Sequence, residues 1–306
     1  MTKPMAVTLA WMGMLIAAVS AATSGLASPV QGSPARAEVE HLIHASGAEV
    51  GLGFQMLDES QELFLNADLP FHAASTMKVP VMIELFAQAH AGKLSLGDPL
   101  TIHNEFKSLV DGSPYTLDSG DDSDADIYKA IGTTWSLRQL CEAMITRSSN
   151  LATNLIIEKI GVDSIRARVH SLDADGMQVL RGVEDNKAFQ KGMNNTTTAR
   201  GLLVLLRAIA ENRAGDPASC AEMLAILKRQ TFNEAIPAGL PPGTGVAHKT
   251  GEITGVRHDA AIVYAPHPFV LVILVRGIND RDKSSALMVS LTRALYAASQ
   301  QGAATK

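Results

Sequence analysis

Apolar and polar positions along this chain recur with two different periods, and the change from one to the other outlines a fold. Ser33 to about Ser46 carries Val39, Leu42 and Ile43 at helical spacing. Glu49–Leu57 then alternates loosely, with Val50, Leu52, Phe54 and Met56, and predicts a strand with Glu62–Asn66 as its hairpin partner. Pro70 ends that sheet. From Ser75 to about Ala91 the run VPVMIELFAQA is apolar almost all round, which predicts a long, central, buried helix. Pro80 falls within its first turns, where proline costs least. Helical spacing returns at Ser136–Thr146, Leu151–Ile160 (closed by Gly161), Asp163–Leu172, Ala199–Ala210 and Ala218–Arg229. Thr196, Thr197 and Thr198 offer N-caps for the fourth of these. Leu180 to Asn195 reads as a loop rich in charge and glycine, and Leu240-Pro241-Pro242-Gly243 breaks the chain. Strand signals follow at Gly245–His248, His258–Tyr264 and Phe269–Arg276, and a helix over about Lys283–Ser299 closes the pattern.

Strands thus lie at both ends and helices in the middle. That order predicts an α+β fold: an antiparallel sheet built from both chain ends and flanked by helices, with an all-helical lobe inserted between. The expected catalytic domain spans 35–300, with a sheet lobe of about 35–70 plus 240–300 and a helical lobe of about 71–239. The length of 306 residues, 46% hydrophobic and 19% charged, suffices for one large core or two closely packed lobes. A net charge of -5 and a pI near 6.0 argue against a nucleic-acid partner.

The first residues follow another logic. Lys3 precedes an apolar run from Met5 to about Val19, and small residues fill Ser20–Ala27. This is a secretory signal pattern over 1–27, with cleavage expected after Ala22 or Ala27. The run is short of the ~20 residues a membrane span needs. The expectation is an exported protein, periplasmic or secreted, with no stable membrane span once the leader is removed. Cys141 and Cys220 are its two cysteines; one disulfide and two buried free thiols are both open readings. Nothing has zinc-site spacing, and His41 and His44 read as a solvated helix face. Residues 111–126 form an acidic insertion with Asp118, Asp121, Asp122, Asp124 and Asp126. A solvated loop is the first reading, with a lid or a calcium site as others, although the spacing does not match an EF-hand.

The chemistry concentrates in Phe71–Val79, FHAASTMKV. If a helix begins near Ser75, Lys78 lies three residues on, on the same face. A serine hydroxyl is a weak nucleophile at its free pKa; a nearby, partly desolvated lysine amine can take its proton or orient the water that does. A helix N-terminus also offers unpaired N–H groups where negative charge would develop. Ser-x-x-Lys alone is common by chance, and what distinguishes it is its company: Ser148-Ser149-Asn150 between two helices, and Lys249-Thr250-Gly251 on a strand before Gly255.

In order, spacing and chemistry these three motifs resemble those of the serine β-lactamases and penicillin-binding DD-peptidases, which carry Ser-x-x-Lys, Ser-x-Asn and Lys-Thr-Gly. The likeness is greatest to class A β-lactamases and covers nearly all of the chain after the leader. The resemblance implies Ser75 as nucleophile, Lys78 as its proton partner, Ser148 as proton relay to the leaving nitrogen and Asn150 as anchor for the substrate's side-chain amide. It implies Lys249 as a source of positive potential, Thr250 as carboxylate binder within the Lys249–Gly251 strand, and the N–H groups of Ser75 and Glu252 as oxyanion hole. Arg257, or less well His258, would be the cationic partner of the substrate carboxylate. It further implies a monomeric hydrolase that needs no cofactor and acts on a small β-lactam or a D-alanyl peptide. A non-hydrolytic β-lactam sensor, or an esterase for small acyl esters, is a further reading.

The sequence also departs from that family. Ser149 stands where the middle motif usually has aspartate. Cys141 matches half of a disulfide found in some class A enzymes, but Met82 occupies the partner position. Before the threonines, class A enzymes place a glutamate two residues after an arginine. Here the segment reads Arg181-Gly182-Val183-Glu184-Asp185-Asn186, one residue late, with Ala188 in place of an expected asparagine and Asn195 in place of the aspartate that pairs with the arginine. The loop must be rebuilt. Glu184 is the first candidate for the base that activates the deacylating water, and Asp185 the second.

Overall fold

The computed structural model describes residues 34–301, together with Met1 and Ser28–Pro29. The expected leader, 1–27, apart from Met1, lies outside the described residues. Among the described residues a six-stranded sheet is formed by β1 (Ser28–Pro29), β2 (Glu49–Met56), β3 (Gln61–Leu65), β4 (Gly245–Ile253), β5 (Val256–Tyr264) and β6 (Phe269–Arg276), in the order β1-β3-β2-β6-β5-β4. All neighbours are antiparallel except β1 with β3. The early hairpin and the late meander therefore meet at the β2–β6 pairing, where Leu52 faces Ile273 and Phe54 faces Leu271. This is the α+β sheet that the two-ended strand pattern predicts.

The helices are α1 (Pro34–Ser46), α2 (Lys78–His90), α3 (Leu137–Thr146), α4 (Asn150–Ile160), α5 (Val162–Ser171), α6 (Asn186–Gln190), α7 (Ala199–Ala210), α8 (Pro217–Leu227) and α9 (Arg281–Gln301). The continuous apolar run of β6 is explained by burial on both faces. Val270, Val272 and Leu274 pack into the core shared with α2, α3, α4, α7 and α8. Phe269, Leu271, Ile273 and Val275 point the other way, against Leu287, Leu291 and Leu295 of α9 and Val39 of α1. Helix α2 is buried from Lys78 to Phe86, as its all-round apolarity requires. No helix among the described residues is long and apolar enough to cross a membrane.

Two expectations change. The segment after Pro70 does not enter an α-helix at Ser75: Ala74–Met77 form a 3-10 turn, and α2 starts at Lys78. With three residues per turn, a 3-10 segment sets residues i and i+3 in line, which keeps Ser75 and Lys78 on one side. The acidic insertion is not simply solvated. Asp118, Asp121 and Asp126 are exposed, but Asp122 and Asp124 are buried, and Asp124 accepts from Arg147 Nε at 2.8 Å. Cys141 and Cys220 are both buried and free, and His41 and His44 lie exposed on α1.

Under the sheet edge that carries Lys249 sits a polar pair that hydropathy did not reveal. His248 Nδ1 meets Asp259 Oδ1 at 2.9 Å, Asp259 Oδ2 accepts the Ile236 N–H at 3.1 Å, and His248 Nε2 lies 3.2 Å from Asn233 Oδ1. Both side chains are essentially inaccessible. Removing one partner of such a buried pair leaves the other uncompensated, at a cost of ~3–5 kcal/mol. Asp259→Ala is expected to lower the melting temperature by on the order of 10 °C, measured by calorimetry; a change within a degree would mean that water replaces the carboxylate.

Candidate active site

The site forms where the 3-10 turn, the start of α4, β4 and the loop before α6 converge. Ala74, just before Ser75, has a left-handed φ of +45°. That conformation costs an L-residue ~1–2 kcal/mol and is held by its neighbours. The Ala74 N–H donates to His72 Nδ1 at 3.0 Å, and the Ala73 N–H to Asn195 O at 2.9 Å. Strand β4 runs alongside: a Cβ on Gly251 would lie 3.1 Å from the Ser75 nitrogen, so a side chain there would crowd the turn. Glycine lets the strand bring Glu252 up to Ser75, and both residues line two cavities.

Lys78 is fully buried and donates to Ser148 O at 2.6 Å, Asn150 Oδ1 at 2.9 Å and Ser148 Oγ at 3.3 Å. Lys249, also fully buried, donates to the same Ser148 Oγ at 2.9 Å and to Thr250 O at 2.9 Å. Ser148 itself is held at φ +60°. Its hydroxyl accepts from both lysines, which leaves its own proton to be directed elsewhere. Burial brings the Lys78 ammonium down to about 7, opposed by the carboxylates of Asp122 and Glu184. Lys249 is held well below the ordinary lysine range by burial and by the charge of Lys78, with Asp259 opposing. The three motifs thus converge on one hydroxyl with two desolvated amines.

On one side of Ser75 lies a cavity of about 450 Å³ that includes Lys78, Asn150, Glu184, Asn186 and Glu252. Glu184 takes a left-handed φ of +61°, accepts from the Asp118 N–H at 3.0 Å and from Asn150 Nδ2 at 3.3 Å, and is raised in pKa mainly by burial. Asp185 does not share this cavity. It is 1% exposed, accepts from Ser108 Oγ at 2.8 Å and the Leu109 N–H at 2.9 Å, and caps α6 through the Ala188 N–H. As the second candidate for the base it is therefore corrected to a latch between two loops.

The rebuilt loop has its own fastenings. Asn195 Oδ1 accepts the N–H groups of Leu180 and Arg181 at 2.8 and 3.1 Å, while its Nδ2 donates to Arg181 O at 3.0 Å. The Asn154 amide brackets Val183, accepting its N–H at 2.7 Å and donating to its carbonyl at 2.9 Å. Arg181 turns to Met193 O and Gly182 O and lies over the Phe189 ring at 5.4 Å. An amide gripping main chain thus stands where the resembling class A pattern has an aspartate–arginine pair.

On the other side of Ser75, a cavity of about 350 Å³ is lined by Ser123, Ser148, Phe232, Thr250, Arg257 and Arg281. Arg257 is 6% exposed; its Nη1 donates to Glu252 Oε2 at 2.6 Å, and Arg281 Nε reaches the same oxygen at 3.2 Å. His258 is the wrong partner for an anion. It is buried, bonded to His72 O at 2.8 Å and to the Val275 N–H at 3.2 Å, and burial lowers it to about 4, so it is neutral at pH 7. Sequence reasoning missed Arg281, Ser123 and Phe232, which belong to none of the three motifs, and the prop formed by His72, which lies in the Phe71–Val79 stretch but is itself held by His258 from far along the chain. The larger cavity, about 510 Å³, lies behind Asn154, Gly182 and Asp185 and includes none of Ser75, Lys78 and Ser148. Among the described residues no group of three or more His, Cys, Asp or Glu is placed to hold a metal.

With this geometry in view, the comparisons with known proteins agree. Residues 34–299 match the model of the beta-lactamase enzyme family. A β-lactamase of Bacillus licheniformis is 32% identical over 211 residues, covering 66% of this chain and 67% of its own. A mutant of PBP-A, solved as an acyl-enzyme complex with penicillin G, is 27% identical with a TM-score of 0.76, covering 90% of this chain and 98% of that one. An ancestral class A β-lactamase is 25% identical with a TM-score of 0.74, covering 86% and 99%. The motifs, the sheet and these likenesses converge: the chain belongs to the beta-lactamase enzyme family, within the group of class A β-lactamases and PBP-A-like proteins.

Proposed function

We propose that the protein is an exported serine hydrolase that opens the β-lactam ring through a covalent acyl-enzyme on Ser75. The observation that carries this reading is the shared cavity of Ser75, Lys78, Asn150 and Glu184. Nucleophile, amine, amide anchor and a carboxylate that can serve as a separate base for water are what a two-step acyl transfer to water requires.

In the first step the Ser75 oxygen bonds to the lactam carbonyl carbon and its proton passes to the Lys78 amine. The developing oxyanion is met by the N–H groups of Ser75 and Glu252. The carbon–nitrogen bond then breaks, and the ring nitrogen takes a proton through Ser148, whose hydroxyl has both acceptor sides engaged by lysines. Asn150 orients the substrate's side-chain amide. Thr250 and Arg257 receive the substrate carboxylate, which displaces Glu252 from the guanidinium. In the second step the water oxygen bonds to the ester carbon while Glu184 takes the water's proton; the bond between that carbon and the Ser75 oxygen then breaks, and the proton passes back from Glu184 to Ser75, restoring both groups.

A second reading, a DD-peptidase for D-alanyl-D-alanine peptides whose β-lactam adduct persists, is favoured by one observation. Both oxygens of Glu184 already accept hydrogen bonds, from Asp118 and Asn150.

Intact mass and absorbance, followed together after mixing the protein lacking residues 1–27 with a chromogenic cephalosporin, separate the two readings. Steady turnover with little adduct is expected. One burst with a lasting adduct on Ser75 would instead mean a penicillin-binding peptidase or sensor, and neither signal would remove both readings. Lys78 must be neutral to accept a proton, so acylation should rise with pH through about 7, about tenfold per pH unit below it. A flat profile from pH 5 to 8 would exclude Lys78 as the acceptor.

A further inference from the structure

The acidic insertion carries a carboxylate to which the two steps above give no part. Asp122 is 6% exposed, and its Oδ2 gathers four donors. These are the N–H groups of Asn150 and Leu151, each at 2.9 Å, the Tyr128 hydroxyl at 3.2 Å and the Ser149 hydroxyl at 3.4 Å. Oδ1 accepts the Asp124 N–H at 2.9 Å. Two of the donors are first-turn N–H groups of α4, which have no partner inside the helix and favour a negative charge. The same turn, with Ser148 just before it at φ +60°, presents all three oxygens to which Lys78 donates. One buried carboxylate from a distant loop therefore fastens the segment that holds the lysine.

We propose that Asp122 is a positioning residue of the site, acting on Lys78 through the first turn of α4 and through its own negative charge. The proposal rests on the reading of Lys78 as proton acceptor and adds to it a residue that sets when the acceptor is available. The charged groups around Lys78 are Lys249 from β4, Glu184 from the loop before α6, and Asp122. Farther out, Asp121 is exposed and Asp124 is engaged by Arg147. Of the two carboxylates that counter the burial of Lys78, Asp122 has the larger effect and Glu184 the smaller. Without Asp122, the buried amine would shed its proton at lower pH, and Ser148 and Asn150 would lose their anchor.

The test compares the full chain with Asp122→Asn, which keeps an oxygen for the α4 N–H groups and removes the charge. Lysines labelled with carbon-13 at Cε are titrated by NMR in the ligand-free protein, with Lys78→Arg identifying the signal. The Lys78 midpoint is expected to fall by about one pH unit. The acidic limb of single-turnover acylation should move with it. Asp126→Asn, from the same insertion but exposed and paired with Lys129, should leave both unmoved. An unshifted midpoint in Asp122→Asn, or an equal shift in Asp126→Asn, overturns the proposal. Should Asp122→Asn fail to fold, Asp122→Glu keeps the charge and displaces the anchor: acylation should slow several-fold with the midpoint held, and unchanged acylation overturns the proposal. A shifted midpoint in a protein that no β-lactam acylates would instead refute the acyl-enzyme reading and leave the link between Asp122 and Lys78 standing.

Discussion

Ser75→Ala is expected to abolish covalent labelling by penicillins and to lower β-lactam hydrolysis by at least ~10⁴-fold, in line with the loss of a nucleophile from other serine hydrolases. The substitution leaves the rest of the site in place. The Ser75 N–H, the Gly251 approach and the lysine pair on Ser148 all remain, because none of them uses the Ser75 hydroxyl. Ground-state binding should persist while the barrier rises by more than ~5 kcal/mol. Stability should change by less than ~0.5 kcal/mol. Intact mass after incubation with benzylpenicillin reads the first claim, and initial rates with a chromogenic cephalosporin read the second. Labelling of the variant at the wild-type rate would place the nucleophile elsewhere and dismantle the site.

The three motifs are legible in the sequence because each is local. Ser75 to Lys78, Ser148 to Asn150 and Lys249 to Gly251 need only a turn, a helix start and a strand to display their side chains, and those elements follow from hydrophobic period. The sheet is legible for the same reason, since β6 and β2 announce themselves by their runs of Val, Leu, Ile and Phe. What holds the motifs together is not local. Asp122 reaches Asn150 across 28 positions, Asn195 grips Arg181 across 14, and His258 supports His72 across 186. Such pairings depend on where loops return to, and composition describes them only as polar.

The choice between Glu184 and Asp185 shows the limit sharply. Adjacent carboxylates in one loop look alike in sequence, yet one faces the cavity and the other is sealed against Ser108 and Leu109. The difference lies in a left-handed backbone at Glu184 and in the Asn154 bracket on Val183. Glu252 is a similar case. The sequence reading gives its N–H a part in the oxyanion hole and its side chain none, yet that side chain bridges Arg257 and Arg281 in the cavity beside Ser75. On the proposed reading, a substrate carboxylate would exchange places with that of Glu252 on Arg257.

Glu184→Gln should leave acylation within about tenfold of wild type and slow deacylation by ~10³-fold, so that the adduct on Ser75 accumulates to near stoichiometry. The glutamine is nearly isosteric and keeps an acceptor for Asn150, but it cannot take a proton from water. Its amide can satisfy only one of the two donors that now meet Glu184, so a stability loss of about 1 kcal/mol is expected alongside. The pH dependence supplies an independent check. A base works only when ionised, and burial raises the pKa of Glu184 above the ordinary glutamate range. Wild-type deacylation should therefore fall as pH falls through that raised value, whereas the residual deacylation of the variant should show no such limb. If the adduct forms and clears at the same rate in both proteins, Glu184 is not the base. If the wild type itself holds its adduct for hours, Glu184 does not activate water in the acyl-enzyme, and the protein is a penicillin-binding peptidase or sensor that β-lactams trap.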